Sequence, residues 1–336
     1  MRFPLLLAAL VAAGCIPLHA ALQSTEGELT LLAARRPLAE VIESPRTPRR
    51  LRALLSQIDR VKQFGEENGL RPTANYQTFV DLHRSAAVYV VSACEPLRFV
   101  SKTWSFPVAG DFPYLGWFDK ESARDYARDL EAEGWDVDLR GASAFSTLGF
   151  FDDPVLSSMI APGPEALGEL VDVVLHESVH ATLHLEGEAP FNESLASFVA
   201  DRLTVRFLEQ KKGAFSRERL AWTERERLSA EAALDLHLAY EELARLYASP
   251  LADEEKRARK AAVLLALQKK LGWRRPITNA TLIQHQTYSS GGQGFEKLLA
   301  TCAGDFRCFL GKLRGLRARS FARPHQEDFD ALLEGL

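Results

Sequence analysis

The chain has 336 residues, of which 46% are hydrophobic and 26% are charged, and its net charge is −4. These values are typical of a globular protein that is long enough for a large core and for two lobes. Charges of both signs are interspersed, which leaves no basic field for nucleic acid, so we expect no partner of that class.

The N-terminus reads as an export signal. A short charged start is followed by an apolar stretch, Phe3 to Gly14, that is too short to span a membrane. The residues up to Cys15 resemble a bacterial lipoprotein signal, in which the cysteine is lipidated and becomes the mature N-terminus. Plain secretory cleavage after Ala20 is the alternative. Ile16 is not the Asp associated with inner-membrane retention, so we expect an anchor in the outer membrane that faces the periplasm.

The first half of the chain mixes helical and strand patterns. Residues 15–45 form a tether and approach segment. Apolar residues at helical spacing predict an amphipathic helix over 48–67, and a second helix is expected from Asn75 to about Arg84. Branched and aromatic residues predict a strand over 87–93, two short strands lie within 103–118, and a helix follows over 120–133. Alternation over 135–139 predicts a strand with Val137 inward and Asp136 and Asp138 outward. We expect a small mixed sheet.

The strongest motif is His176-Glu177-Ser178-Val179-His180, which lies inside an apolar run too long for a typical strand. On a helix, positions i and i+4 lie one above the other, so both imidazoles face the same point. Glu177 projects about 100° round the helix from His176, where the general base for a bound water belongs. The spacing predicts a catalytic Zn²⁺ site.

A catalytic zinc takes three protein ligands and leaves one position for water. Glu193 is the predicted third ligand, because Asn192-Glu193 opens a second helical pattern after a short polar connection. A helical hairpin would bring Glu193 back toward the histidines. Glu186 and His184 are the rivals: Glu186 stands where another zinc motif has its third His, but Leu183 replaces the Gly of that motif. His184 fits a packing residue or a cation at a helix end.

The C-terminal part is strongly helical and heavily charged. Long paired helices with solvated faces are expected over about 203–271, and further helices close the chain. Cys302 and Cys308 frame a short loop and form the expected disulfide, since export permits one. Cys94 is then left as a buried thiol at the end of a strand.

The motif and its companion Asn192-Glu193 resemble those of the gluzincin metallopeptidases. More widely, residues 15–335 resemble a family of bacterial envelope proteins described as predicted zinc aminopeptidases. Ala200 occupies the place where that family has a further acidic residue, and Asp201 stands next to it. The segments that carry the resemblance are TWSFPVAGDFPYLGWFD (103–119), ASAFSTLGFFDDPVLSSM (142–159), HESVH (176–180), FNESLASFV (191–199) and NATLIQHQTY (279–288).

The resemblance implies an α+β, predominantly helical, zincin-like fold. A mixed sheet would pack on the active-site helix in a catalytic region over 46–210, and a helical lobe over 211–336 would contribute to the cleft. It also implies aminopeptidase activity and further site residues. Tyr288 would donate a hydrogen bond to the oxyanion. The strand character of 142–148 predicts a sheet edge at Ser143 and Phe145 that pairs with the substrate backbone, and an ordinary strand is the alternative. Asp152 or Asp153 could supply the carboxylate that an aminopeptidase needs for the substrate ammonium group, and a turn or helix start is the alternative. Asn279 is also predicted to bind substrate.

Two function classes follow. The first is a zinc peptidase in which His176, His180 and Glu193 bind the metal and Glu177 moves the proton. The alternative is a non-catalytic envelope lipoprotein on a peptidase-like scaffold that binds a protein partner, with the metal merely structural. A structural site is closed by four protein ligands and does not need Glu177. The sequence indicates neither side-chain specificity nor oligomeric state.

Overall fold

The structure is a computed structural model that describes residues 23, 27, 29–106, 110–144, 152–287, 292–322 and 329–336. The chain divides into two compact units, each assembled from separate stretches, whereas the sequence predicted continuous regions over 46–210 and 211–336. The first unit comprises Met1–Ala34, Arg84–Phe145 and Glu231–His285, and the second comprises Arg35–His83, Ser146–Ala230 and Gln286–Leu336. Within the described residues, none of the helices combines the length and apolar composition needed to cross a membrane.

The first unit is built on an antiparallel sheet. Its central strand β3 (Val88–Cys94) pairs on one side with β6 (Leu115–Trp117) and on the other with β7 (Asp136–Ala142). Helix α4 (Lys120–Ala132) packs on the sheet. The Asp119 side chain caps α4 by accepting from the Ser122 amide. Strands β4 (Trp104–Phe106) and β5 (Gly110–Phe112) form a separate antiparallel pair.

Two sequence predictions about this sheet were wrong. The strands within 87–139 pair only antiparallel, so they do not form a mixed sheet. Asp138 does not point outward, because it is 3% exposed, pairs with Arg275 and accepts a hydrogen bond from Thr281. An inward carboxylate breaks the alternation of inward apolar and outward polar residues from which a strand is predicted. The partly exposed guanidinium of Arg275 makes the burial of Asp138 tolerable. The prediction for Cys94 is confirmed: it is a free, buried cysteine at the end of β3.

Long helices complete the first unit. Helix α7 (Arg217–Ala248) contributes residues to both units, and α8 (Asp253–Leu271) follows it. Leucines on both helices pack with Ile277 and with Leu282 of helix α9 (Asn279–Thr287). Lys260 of α8 forms an ion pair with Asp136 at the start of β7. The prediction of long paired helices in this part of the chain is confirmed.

The second unit contains the mixed sheet, which is made from strands that the sequence did not predict. Strand β2 (Thr78–Val80) pairs antiparallel with β1 (Arg36–Pro37) and parallel with β8 (Val155–Leu156). The helix expected over Asn75–Arg84 was wrong, because β2 occupies Thr78–Val80, and the single helix expected over 48–67 is interrupted at Ser56-Gln57. The helices of this region are α1 (Leu38–Glu43), α2 (Arg49–Leu55) and α3 (Ile58–Glu67).

A helical hairpin forms the core of the second unit. Helix α5 (Ala166–Thr182) buries Leu170, Val171, Val174 and Leu175, and it packs against α6 (Ala189–Lys212). Trp222, at the start of α7, is fully buried and packs against Gly168 of α5. A Cβ at Gly168 would lie 2.5 Å from the Trp222 ring, so glycine permits this close approach.

The C-terminal helices pack against the start of α6. They are α10 (Gly292–Thr301), α11 (Phe306–Leu313) and α12 (Asp330–Glu334). The ring of Phe191 in α6 lies 5.8 Å from that of Phe295 and 5.4 Å from that of Phe329, both edge-on. Cys302 and Cys308 form a disulfide, the pairing expected from the sequence. These contacts hold the first turn of α6 in place.

Several predictions fall outside the described residues. They concern the signal segment and Cys15, Phe145 on the expected sheet edge, and Tyr288. Each of them stays a prediction.

Candidate metal centre

Helix α5 places the two motif histidines on one face. The buried side chains of Val174, Leu175 and Val179 fix the orientation of the helix, and His176 and His180 follow one another by one turn. Their side chains are 20% and 11% exposed, so both imidazoles are largely buried. The sequence prediction of a helix that presents both rings to one point is confirmed, since their Nε2 atoms lie 3.1 Å apart.

The turn between α5 and α6 brings Glu193 back to the histidines. Asn192 closes this turn, because its side-chain oxygen accepts from the Leu185 amide at 2.9 Å and its side-chain nitrogen donates to the Leu185 carbonyl at 2.8 Å. Gly187 supplies the positive φ of +78° that the turn requires. Asn192 is 3% exposed. The two neighbouring residues therefore have different roles. Asn192 stabilises the turn of the hairpin, and the Glu193 side chain points toward the histidines.

Three side chains converge with spacings that suit a small divalent ion. A Glu193 oxygen, Oε2, lies 3.4 Å from Nε2 of His176, and its other oxygen, Oε1, lies 3.6 Å from Nε2 of His180. Tetrahedral ligands at zinc distances stand about 3.3 Å apart. The observed separations bracket this value, so His176, His180 and Glu193 could hold a metal ion. Among the described residues, no fourth His, Cys, Asp or Glu joins this group.

The rival ligands do not join the group. Glu186 is exposed in the turn. His184 is also exposed, and its ring centroid lies 6.2 Å from that of His180. The hairpin explains this outcome, because the turn that begins at Leu183 carries the chain away from the axis of α5.

The protonation states favour metal binding at two of the three ligands. Burial and the neighbouring His176 lower the pKa of His180 to about 4, so its imidazole is neutral. Burial would raise the pKa of Glu193, but the hydrogen bond from His176 and the electrostatic effect of the neighbouring imidazoles outweigh it and leave the pKa lowered. Burial likewise lowers the pKa of His176, but Glu193 and the Glu177 charge reverse this and raise it. Binding of a metal ion would compete with protonation of His176.

Two further carboxylates lie behind the histidines, and the sequence analysis gave them no role. Asp172 precedes His176 by one turn of α5, and its carboxylate interacts electrostatically with that of Asp201 of α6. Burial is the main cause that raises the pKa of Asp172, to about 6. His176 acts in the opposite direction, and the charge of Glu226 adds to the increase. Burial and the Asp172 charge raise the pKa of Asp201 to about 8. The pair therefore retains a proton near neutral pH.

We expect the Asp201→Asn variant to be more stable than the wild type at alkaline pH. The folded-state pKa of Asp201 lies above its unfolded value, so its stabilising contribution is complete below pH 4 and is lost as pH rises through about 8. Asn stays neutral. The gain should be about 1 to 2 kcal/mol at pH 8 and smaller at pH 4, as measured by unfolding of the metal-free protein.

The exposed Asp125 provides the control for this variant, because Asp125→Asn removes a carboxylate that pairs only at the surface with Arg128. Its stability relative to wild type should not change with pH. Equal or lower stability of Asp201→Asn at pH 8 would contradict the proton-sharing pair.

The predicted substrate-binding residues have different environments. Asp152 is exposed, whereas Asp153 is only 3% exposed, in the second unit. Ser143 is exposed and belongs to the first unit. Asn279, also in the first unit, is fully buried: its amide nitrogen donates to the Glu95 carbonyl at 2.9 Å, and its oxygen accepts from the Tyr247 hydroxyl at 2.8 Å. Both ends of its amide form hydrogen bonds within the first unit, and its role in substrate binding stays a prediction.

One comparison with known proteins gives a match. A family described as "putative aminopeptidase" matches residues 21–327 of the chain. No curated protein and no solved structure gives a significant match. The family match covers most of the sequence, including the helical hairpin and its His-His-Glu group. The chain therefore belongs to the putative aminopeptidase family.

Proposed function

We propose that the protein is a zinc-dependent aminopeptidase. The observation that carries the proposal is the convergence of His176, His180 and Glu193 within a chain of an aminopeptidase family. Two imidazole nitrogens and one carboxylate oxygen are a ligand set typical of catalytic zinc, and three protein ligands leave a coordination position for water or substrate. A structural zinc would require a fourth protein ligand.

Zinc fits the donor set better than the common alternatives. Magnesium and calcium prefer oxygen ligands, whereas this group offers two nitrogens. The chemistry that zinc supplies in such a site is polarisation of the substrate carbonyl and acidification of a water molecule toward a pKa of about 7.

The chain supplies the proton transfers. Glu177 follows His176 directly on α5, is half-buried and is not part of the ligand group. In the proposed mechanism, Glu177 accepts the proton of the attacking water and delivers it to the leaving amine. His176, His180 and Glu193 would hold the metal ion. Tyr288 as a donor to the oxyanion and the Asp152 carboxylate as a partner for the substrate ammonium remain parts of this proposal.

The proposed location is the cell envelope. The N-terminal sequence that ends at Cys15 supports a lipid anchor, and an outer-membrane position facing the periplasm would expose the site to exported peptides. The Cys302–Cys308 disulfide suits an oxidising compartment. Incorporation of labelled palmitate by the wild type and its loss in Cys15→Ala would support the anchor, whereas equal labelling would refute it.

Paired peptide substrates test the proposed activity. We expect the zinc-loaded protein to cleave a peptide with a free amino terminus at least about 100-fold more efficiently than its N-acetylated form, because acetylation removes the ammonium group and leaves the enzyme carboxylate without a partner. Equal cleavage of both would indicate an endopeptidase. A zinc-loaded protein that cleaves neither would favour the non-catalytic scaffold.

A further inference from the structure

The turn between α6 and α7 (213–216) exposes an aromatic side chain. Phe215 is 90% exposed, the highest fraction for a large hydrophobic side chain in the part of the chain that the structure describes. Hydrogen bonds order the turn: the Ser216 amide donates to the Gly213 carbonyl at 3.1 Å, and the Ser216 hydroxyl accepts from the Arg219 amide at 3.2 Å. Leu220, in the first turn of α7, is 53% exposed. The turn therefore holds apolar groups in water, which is unfavourable unless another surface covers them.

A cavity of about 600 Å³ lies beside this turn, entirely within the second unit. Lys212 and Arg217, at the two ends of the turn, both line the cavity, together with Arg50 of α2. Arg50 also donates to the Gly163 carbonyl at 3.0 Å, which connects α2 to the segment before α5. Among the described residues that line the cavity, Glu218 is the only acidic one, and the remaining ones are uncharged. The cavity has room for a small anionic group.

This surface is positive, although the chain as a whole carries a net charge of −4. Arg49 and Lys211, which directly precede two of the basic lining residues, are also exposed. Two carboxylates reduce the positive charge: Glu218 lies 3.5 Å from Nζ of Lys212, and the Glu165 carboxylate lies next to another lining residue. The basic residues still outnumber these acidic ones by five to two.

An exposed aromatic side chain between basic residues matches the chemistry of an anionic membrane surface. Aromatic rings favour the interface between membrane and water, and Lys and Arg are attracted to anionic headgroups. A soluble anion would need only the basic residues and would leave Phe215 in water. The combination therefore favours a membrane over a free anion as the partner of this surface.

We propose that the α6–α7 turn docks on a membrane surface that contains anionic phospholipid. Phe215 enters the interface between headgroups and acyl chains, and Lys212 and Arg217 bind headgroup phosphates at the cavity. The inference does not rest on the proposed hydrolysis, because none of these residues belongs to the His-His-Glu group. Docking here would orient a chain that is tethered at Cys15 on the membrane, and it does not require the tether.

Quenching by brominated lipid tests the insertion of the turn. Phe215→Trp keeps an aromatic side chain and adds a fluorophore, and the full-length chain is mixed with vesicles of brominated phosphatidylcholine and phosphatidylglycerol. We expect the emission that the substitution adds to the wild type to be lost on these vesicles and kept on unbrominated ones, because bromine quenches only at short range. The readout is local to the turn, so vesicle binding by the N-terminal apolar stretch does not produce it.

Leu265→Trp is the matched control for insertion. Leu265 of α8 is 51% exposed, belongs to the first unit and lies outside the basic surface. The emission that this substitution adds should be the same on both kinds of vesicle. Equal emission of Phe215→Trp on brominated and unbrominated vesicles would overturn the proposal.

Removal of charge tests the headgroup contact. We expect Lys212→Gln/Arg217→Gln to lower partitioning onto phosphatidylglycerol vesicles about 10- to 30-fold at low ionic strength, since each cation near an anionic surface contributes about a fivefold factor. Sedimentation with the vesicles measures the change. Arg257→Gln/Lys269→Gln removes the same charge from α8 in the first unit and should leave partitioning unchanged.

Two results would contradict docking through this turn. Equal losses of partitioning in the two double variants would mean that only the net charge of the chain matters. A rise in the Tm of the wild type with inorganic phosphate, without quenching of Phe215→Trp by brominated vesicles, would assign the cavity to a soluble anion.

Discussion

The Glu177→Gln variant should bind zinc like the wild type and lose about 10²- to 10⁴-fold in kcat for peptide hydrolysis. Gln keeps the size of the side chain and cannot accept the proton of an attacking water. Glu177 is not a member of the ligand group, so its replacement leaves the three ligands intact. The measurement is kcat together with zinc content per chain for both proteins.

Glu186→Gln is the matched control, because Glu186 is an exposed carboxylate nearby in sequence that lies outside the ligand group. It should retain wild-type kcat. Hydrolysis by Glu177→Gln at the wild-type rate would remove Glu177 from the mechanism. Negligible hydrolysis by both the wild type and Glu177→Gln, with equal zinc, would instead favour the non-catalytic scaffold.

The second large effect is expected at Glu193. Glu193→Gln replaces a negatively charged ligand with a neutral amide, so we expect zinc affinity to fall by at least about 100-fold. Mutation of a residue that only hydrogen bonds to a metal ligand costs about 10- to 100-fold in affinity, and loss of a ligand itself should cost at least as much. Activity at limiting zinc should fall in parallel. Competition with a chelator of known affinity measures the change.

Glu209→Gln controls for a charge change on the same helix, since Glu209 lies in α6 and pairs at the surface with Arg219. Its zinc affinity should match that of the wild type. If Glu193→Gln binds zinc as tightly as Glu209→Gln does, the hairpin does not supply the third ligand.

The parts of this site that follow local patterns could be predicted from the sequence. The apolar run around His176 and His180 predicts a helix, and the i, i+4 spacing places both rings on one face. The Asn192-Glu193 pair after a short polar turn predicts a hairpin, although the hydrogen bonds between Asn192 and Leu185 needed coordinates.

Other features depend on residues that are distant in sequence. Strand β2 pairs with β8 some 75 residues later, so the region after Asn75 read as a helix when its own residues were considered alone. Asp138 read as an outward residue, because its partner Arg275 lies in the other half of the chain. The Asp172–Asp201 pair was missed for the same reason. Asp201 was noted only as the neighbour of Ala200, and its interaction with Asp172 depends on the hairpin.

The most direct test of the account is anomalous diffraction at the zinc edge from crystals of the protein grown with one equivalent of zinc. We predict a single strong peak about 2.0 to 2.2 Å from Nε2 of His176, Nε2 of His180 and a carboxylate oxygen of Glu193, with a non-protein ligand in the fourth position. No peak at this group, or a peak closed by a fourth protein side chain, would contradict a catalytic metal centre.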